Sequence, residues 1–194
     1  MTLESVNERF PKEIKLKKSE GKITLRLLDK NDAKALHEFF LSLPNYELMF
    51  AKQRVADLAV TQSWCNDIDW HKHLMIVAIQ DDKIIGEISL HQRPGGWKRH
   101  IGEVNVHAHP AFRGKGLGKA LANEMVDLAR EMGLEYLEAE MVGKQESAIR
   151  MFGLLGFSEL MRLPDYVKDM QANTHEYVVM GLRLVTDEEY AGAG

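Results

Sequence analysis

The segment HPAFRGKGLGKALANEMVDLAR, residues 109–130, joins a glycine-rich turn to a helix in the middle of the chain. Apolar residues recur after the turn at helical spacing until Gly133 ends the pattern. They are Leu117, Leu121, Met125, Leu128 and Met132. A helix that starts here directs free N–H groups and its positive dipole end toward the turn, where Arg113, Lys115 and Lys119 add charge. The segment therefore predicts an anion-binding turn.

The glycine spacing excludes two common phosphate-binding motifs. Gly114, Gly116 and Gly118 follow the pattern G-x-G-x-G. A P-loop requires G-x-x-x-x-G-K-[ST], and a dinucleotide-binding turn requires G-x-G-x-x-G. A glycine-rich helix start with solvated cations stays open as an alternative to an anion site.

Patterns on both sides of this segment predict the other elements. One hairpin is indicated at 12–28 around a turn at 19–21, with a basic arm followed by a single strand as the alternative. A second hairpin is indicated at 73–92 around Asp81 and Asp82. Helices are expected from about 32 to 43, 55 to 67 and 146 to 155. Further strands are expected at 101–108, 134–142, 157–163 and 175–184, with a polar loop at 164–173.

This order of elements predicts one α/β (α+β) domain with a mixed, mostly antiparallel sheet of about seven strands and helices on both faces. We expect the domain at 22–185, after an N-terminal extension at 1–21 that has the pattern for an extra strand. Residues 186–194 are expected to form a flexible tail.

Composition restricts the classes of function. A net charge of -4 and a pI near 6.1 argue against a general nucleic-acid-binding surface. The sequence has no apolar run near the roughly 20 residues of a membrane span, and its N-terminus has no secretory apolar region. Cys65, the one cysteine, excludes an internal disulfide framework and leaves too few ligands for a cysteine zinc site. We expect a cytoplasmic protein with no metal, and an inert, packed Cys65.

Two separated motifs resemble the GNAT superfamily of N-acetyltransferases. RGKGLG, at 113–118, fits R/Q-x-x-G-x-G/A, and QESAIRMFGLLGF, at 145–157, resembles N-x-x-A-I-x-x-Y-x-x-x-G-F. The resemblance spans about 22–184 and implies a GNAT-like fold that uses acetyl-CoA. It places the pantetheine arm along Val106, His107 and Ala108. It also implies that the cofactor contacts Arg113, Gly114, Lys115, Gly116, Leu117, Gly118, Lys119 and Gln145.

The implied chemistry, attack of an amine on a thioester, needs a group that accepts the amine proton. Glu103 resembles a glutamate of the phosphinothricin-type small-molecule acetyltransferases and is the first candidate. Glu140 resembles a glutamate used by ribosomal-protein alanine acetyltransferases and is the second. Both residues have a plain alternative as solvated or ion-paired strand residues. His107 is either a proton relay or polar lining.

Two positions depart from the family pattern. Gln145 replaces an asparagine, and Phe152 replaces the tyrosine that protonates the leaving thiolate, although the phosphinothricin-type enzymes also lack that tyrosine. The resemblance therefore favours an acetyltransferase for a small primary amine or amino-acid-like acceptor. A protein N-acetyltransferase and an acyl-CoA-binding sensor without turnover stay open, as does the group that protonates the thiolate.

The acceptor and the assembly are less defined by the sequence. Aromatic candidates for the wall of an acceptor pocket, most of which are otherwise expected in the core, are Phe39, Phe40, Tyr46, Trp64, Trp97 and Tyr166. We expect a homodimer, because antiparallel sheet edges in such folds often pair across subunits. The identity of the acceptor amine is not defined.

Overall fold

One sheet of eight strands forms in the part of the chain that this computed structural model describes, which is residues 8–16, 18, 21–51 and 54–185. The strands are β1 (Lys12–Ile14), β2 (Ile23–Leu27), β3 (His73–Gln80), β4 (Lys83–Gln92), β5 (Ile101–Ala108), β6 (Tyr136–Val142), β7 (Ser158–Lys168) and β8 (Thr174–Arg183). Their order is β1-β2-β3-β4-β5-β6-β8-β7. Among these strands, β5 and β6 are the one parallel pair. The predicted mixed, mostly antiparallel sheet is confirmed.

Helices cover both faces of this sheet. They are α1 (Ala33–Leu41), α2 (Asn45–Leu48), α3 (Leu58–Asn66), α4 (Leu117–Glu131) and α5 (Glu146–Leu154), and a short 3-10 helix covers Pro110–Phe112. On one face, α4 and α5 pack over alternate strand residues such as Ile76. On the other face, α1 and α3 pack over the intervening residues such as Val77. Because successive side chains of a strand point to opposite faces, the central strands are buried on both sides.

Local signals decide most of the boundaries. Asp81 and Asp82 both have left-handed backbone, with φ of 49° and 60°, and form the predicted two-residue turn between β3 and β4. Helix α3 begins at Leu58 rather than near Val55, because the Asp57 side chain caps it by accepting a hydrogen bond from Ala59 N.

The predicted polar loop at 164–173 is wrong in its first half. Strand β7 continues through it to Lys168, and the connection to β8 is only 169–173. Pro164 fits there because β7 is the edge strand and the pairing is irregular between Leu163 and Val167, where Asp165 has a φ of 52°.

The N-terminal part of the chain contributes β1, which pairs antiparallel with β2 as the hairpin pattern predicts. Most of the predicted turn, at 19 and 20, and the tail at 186–194 lie outside the described residues. The division of the chain into an extension at 1–21, a domain at 22–185 and a tail stays a prediction.

Candidate active site

A wedge opens in the middle of the sheet where β5 and β6 separate. The two strands pair over three positions, from Ile101 with Tyr136 to Glu103 with Glu138. Beyond these positions β5 continues to pair with β4 up to Ala108, and β6 continues to pair with β8. The β5 edge that faces β6 therefore has no strand partner from 104 to 108, and its main-chain groups are available to an extended ligand. This edge contains the segment 106–108 predicted to face pantetheine.

The glycine turn lies at the open end of this wedge. Gly114 and Gly116 have φ values of 67° and 95°, which L side chains rarely adopt, and a Cβ atom at either position would have no neighbour within 4 Å. In the described part of the chain, no protein group accepts from the N–H groups of Gly116, Leu117 and Gly118. These open amides at the start of α4 are available to an anion, as the sequence predicts for this turn.

The cations of the turn have different surroundings. Arg113 donates to the Glu47 carboxylate of α2 at 2.8 Å and to the Tyr46 hydroxyl at 3.3 Å. The Lys115 ammonium lies 5.3 Å from the centre of the Phe112 ring, and Lys119 is exposed. Arg113 therefore connects the predicted cofactor turn to the helix on the opposite side of the site.

A cavity of about 330 Å³ extends from the wedge to the sheet face below α1 and α3. Phe40 and Trp64 are part of its apolar wall, together with Met75. Its polar lining comes mainly from the sheet and consists of Glu87, Ser89, His91, Arg93, Glu103, Asn105, His107, Glu140 and Gln145. A half-apolar cavity with a few convergent polar groups is typical of a small-molecule site.

The polar floor is ordered by strand register. Glu87 pairs with His107, Ser89 with Asn105, and His91 with Glu103, in three successive rows across β4 and β5. All six side chains share one face because each row is two residues from the next. Glu103 is also the last β5 residue that pairs with β6, so it lies at the apex of the wedge.

Both predicted bases lie in one carboxylate cluster. Glu103 and Glu140 line the cavity. Burial raises the pKa of Tyr177, and so do the charge of Glu140, the hydrogen bond to Glu140 and the charges of Glu103 and Glu138. The charges of all three carboxylates therefore disfavour ionisation of the Tyr177 phenol. Which of the two candidates accepts the proton stays a prediction.

Glu87 is a site residue that the sequence reasoning missed. It is 1% exposed, and its Oε1 lies 2.5 Å from Nδ1 of His107, while no described group forms a hydrogen bond with the buried Oε2. Burial alone lowers the pKa of His107, but the hydrogen bond to Glu87 and the charge of Glu87 outweigh it, so the pKa is raised. One signal was available in the sequence, because IIGEISL, at 84–90, carries a single charge in an otherwise apolar strand.

Some of the remaining predicted residues line the cavity, and others lie outside it. Gln145 and Phe152 both line the cavity, and Gln145 Oε1 accepts a hydrogen bond from Val142 N at 2.9 Å. Of the aromatic candidates, Phe40 and Trp64 line the cavity and Phe39 is buried in the core beside them. The other three are exposed and lie outside it: Tyr46, Trp97 and Tyr166.

Cys65 lies on α3 and packs into the core rather than into the site. It is 2% exposed, and burial raises the pKa of its thiol to about 11. The expected packing of Cys65 is confirmed, and its lack of reactivity stays a prediction. The helices of the described residues include none that is long and apolar enough to cross a membrane, and those residues contain no cluster of three or more His, Cys, Asp or Glu side chains able to hold a metal.

Comparison with known proteins identifies a family and relatives of this chain. The model of the acetyltransferase (GNAT) family matches residues 35–157. The L-methionine sulfoximine/L-methionine sulfone acetyltransferase of Salmonella typhimurium is 26% identical over 147 residues, which cover 73% of this chain and 84% of that protein. The L-amino acid N-acyltransferase MnaT of Escherichia coli is 23% identical over 147 residues, which cover 73% and 83%.

A solved structure has the same fold. The Salmonella typhimurium protein YncA, solved with its cofactor acetyl-CoA, superposes with a TM-score of 0.73 at 23% identity, covering 86% of this chain and 96% of that chain.

Proposed function

This chain belongs to the acetyltransferase (GNAT) family, and on that premise we propose that its acceptor is the α-amine of a small amino acid. It is an acetyl-CoA-dependent N-acetyltransferase. The observation that carries the choice of acceptor is the cavity, which is lined both by carboxylates and by Arg93. That combination complements a zwitterion, because the carboxylates attract an ammonium group and an arginine binds a carboxylate.

The chain contributes binding groups and a base. Acetyl-CoA, when bound, supplies the thioester carbonyl that the amine attacks. The open amides and cations of residues 113–119 hold the phosphates, the free edge of β5 at 106–108 pairs with the pantetheine arm, and Gln145 lies beside it. Glu103, at the apex of the wedge, accepts the proton that the amine must lose, with Glu140 as the second candidate. Phe152 has no proton to give to the leaving sulfur.

Size also supports a small acceptor. The cavity of about 330 Å³ is at the lower end of the range for ligand sites, and Phe40 and Trp64 enclose its apolar side. Relatives that are named for the acetylation of methionine sulfoximine and methionine sulfone and for the acylation of L-amino acids support the same class.

The test measures free thiol released from acetyl-CoA with three matched sets of amines: free L-amino acids, their carboxamides, and short peptides with the same N-terminal residues. We expect turnover of free amino acids and a loss of about tenfold or more in kcat/KM for the carboxamides, which lack the charge that Arg93 would bind. Preference for peptides would indicate a protein N-acetyltransferase. Binding of CoA without thiol release from any amine would indicate a sensor.

We also propose that the protein is a cytoplasmic homodimer. Leu160 and Met161 are exposed on the edge strand β7, where they are 58% and 46% accessible. Exposed apolar residues on an unpaired edge favour pairing with a second chain. Sedimentation velocity should show a dimer that Leu160→Glu dissociates, whereas a monomer at micromolar concentration would contradict the proposal.

A further inference from the structure

The side chains of Glu87 and His107 lie at the other end of the cavity floor from Glu103, and the transfer described above uses only the main chain of His107. The two members of this pair differ in access to the cavity, because the His107 side chain is 30% exposed and that of Glu87 is 2% exposed. Glu87 engages Nδ1 of His107, so Nε2 is the ring nitrogen that remains for a ligand. The Phe40 ring packs edge-on against the imidazole, 5.7 Å between centroids, and limits its rotation.

Stabilisation of the fold alone does not account for the Glu87–His107 pair. Burying a carboxylate is costly unless its lone pairs are satisfied, and Oε2 of Glu87 is buried without a hydrogen-bond partner among the described residues. A cationic imidazole held by a buried carboxylate presents one charged donor, Nε2–H, to the cavity. Charged donors of this kind bind oxygen acceptors more strongly than neutral donors do.

The distance between the pair and Glu103 is suited to one amino acid. His107 is four residues beyond Glu103 on β5, so their Cα atoms are about 13 Å apart at the rise of a strand. Side chains on one face of a strand stand roughly perpendicular to the sheet, so the two polar ends are separated on the same scale. Two hydrogen bonds of about 2.9 Å, one from the amine to Glu103 and one from Nε2 to an oxygen, leave about 7 Å for the acceptor. This span is close to the length of an amino acid of methionine size.

We propose that Glu87 and His107 form a specificity subsite, in which Nε2–H of His107 donates to an oxygen at the end of the acceptor side chain and Glu87 positions the imidazole. The subsite rests on the proposed function, because it assumes an amino acid whose amine lies at Glu103. It selects acceptors with a sulfonyl, carboxamide, phosphinyl or carboxylate oxygen over those with an apolar end.

The direct test is binding without chemistry. Isothermal titration of the protein–CoA complex compares L-methionine with L-methionine sulfone, which have the same chain length and differ in the side-chain oxygens. We expect the sulfone to bind about tenfold or more tightly in the unaltered protein, as expected for one hydrogen bond to a charged group. His107→Gln should bring the ratio close to one, and Glu87→Gln should reduce it. His100→Gln, a histidine outside the cavity, is the matched control and should keep the ratio.

The pH profile separates a charged donor from a merely structural histidine. The charged groups that act on His107 are Glu87 from β4, Glu47 from α2 and Arg113 from the turn. Because Glu87 raises the pKa of His107, the preference for the sulfone should be full below that pKa and should fall as the pH rises through it. In Glu87→Gln the fall should occur at lower pH.

Three outcomes distinguish the two proposals. Equal affinity of methionine and its sulfone for the unaltered protein, with both acetylated, would overturn the subsite and leave the proposed function standing. A sulfone preference that persists in His107→Gln, in a variant whose melting temperature still rises with CoA, would also overturn the subsite. If neither amino acid binds and neither is acetylated while other amines are, the amino-acid acceptor is wrong and the subsite is wrong with it.

Discussion

Substitution of Gly116 by valine tests the proposed cofactor turn, since Gly116 has no side chain and contributes only its backbone to the turn. Gly116 has a φ of 95°, and a Cβ at this position would contact no protein atom. Valine should therefore strain the backbone without disturbing the core, and its side chain should occupy the space where the phosphate approaches the amides.

The chain contains a control with the same backbone cost. Gly133, just after the other end of α4, has a φ of 76° and equally open surroundings. A left-handed conformation costs a non-glycine residue roughly 1–2 kcal/mol. For a protein of this size that cost lowers the melting temperature by about 2–8 °C in either variant.

The two variants should differ only when CoA is added. A ligand at one hundred times its dissociation constant stabilises the folded state by about 2.7 kcal/mol, which is about 5–11 °C here. Thermal unfolding with and without CoA should show this rise in Gly133→Val and in the unaltered protein, and little of it in Gly116→Val. A full CoA-induced rise in Gly116→Val would refute the assignment of the turn to phosphate binding.

Further substitutions test the base, a loop contact and the cysteine. Glu103→Gln should lower turnover about 10²- to 10⁴-fold with little change in CoA affinity. High pH should partly restore turnover, because the solution then supplies neutral amine. Unchanged turnover would move the role of base to Glu140. Hydrogen bonding to His175 lowers the pKa of Asp169, so its contribution to stability is present at neutral pH and is lost as the pH falls below about 4. Asp169→Asn should therefore show a shallower acid dependence in denaturant titrations, and an equal slope would contradict this. Cys65 should not react with a thiol reagent at pH 8 until the protein is unfolded.

Elements with strong local signals could be predicted from the sequence. The β3–β4 hairpin has two aspartates between apolar strands, and α4 has a long amphipathic repeat bounded by Gly116 and Gly133. These features depend on residues within a few positions of one another. The glycine turn was predictable for the same reason, since its glycines, cations and helix lie in one short segment.

Features that depend on pairing between distant segments were not predictable in this way. Glu87 and His107 are 20 residues apart and meet because β4 and β5 pair in one register. The extension of β7 past Pro164 depends on the strand lying at a sheet edge, which a local pattern does not contain. Glu103 lies at the apex of the wedge because β6 diverges there, and β6 begins more than thirty positions later in the chain.

The separation of β5 from β6 gives one strand two independent recognition surfaces. The edge of β5 offers main-chain groups, which are the same for every residue type except proline. Its face offers the side chains of Glu103, Asn105 and His107. Substitutions on the face can therefore alter the acceptor while the edge continues to present the same hydrogen-bonding pattern. Such a strand lets substrate preference diverge between relatives that keep a common acyl donor.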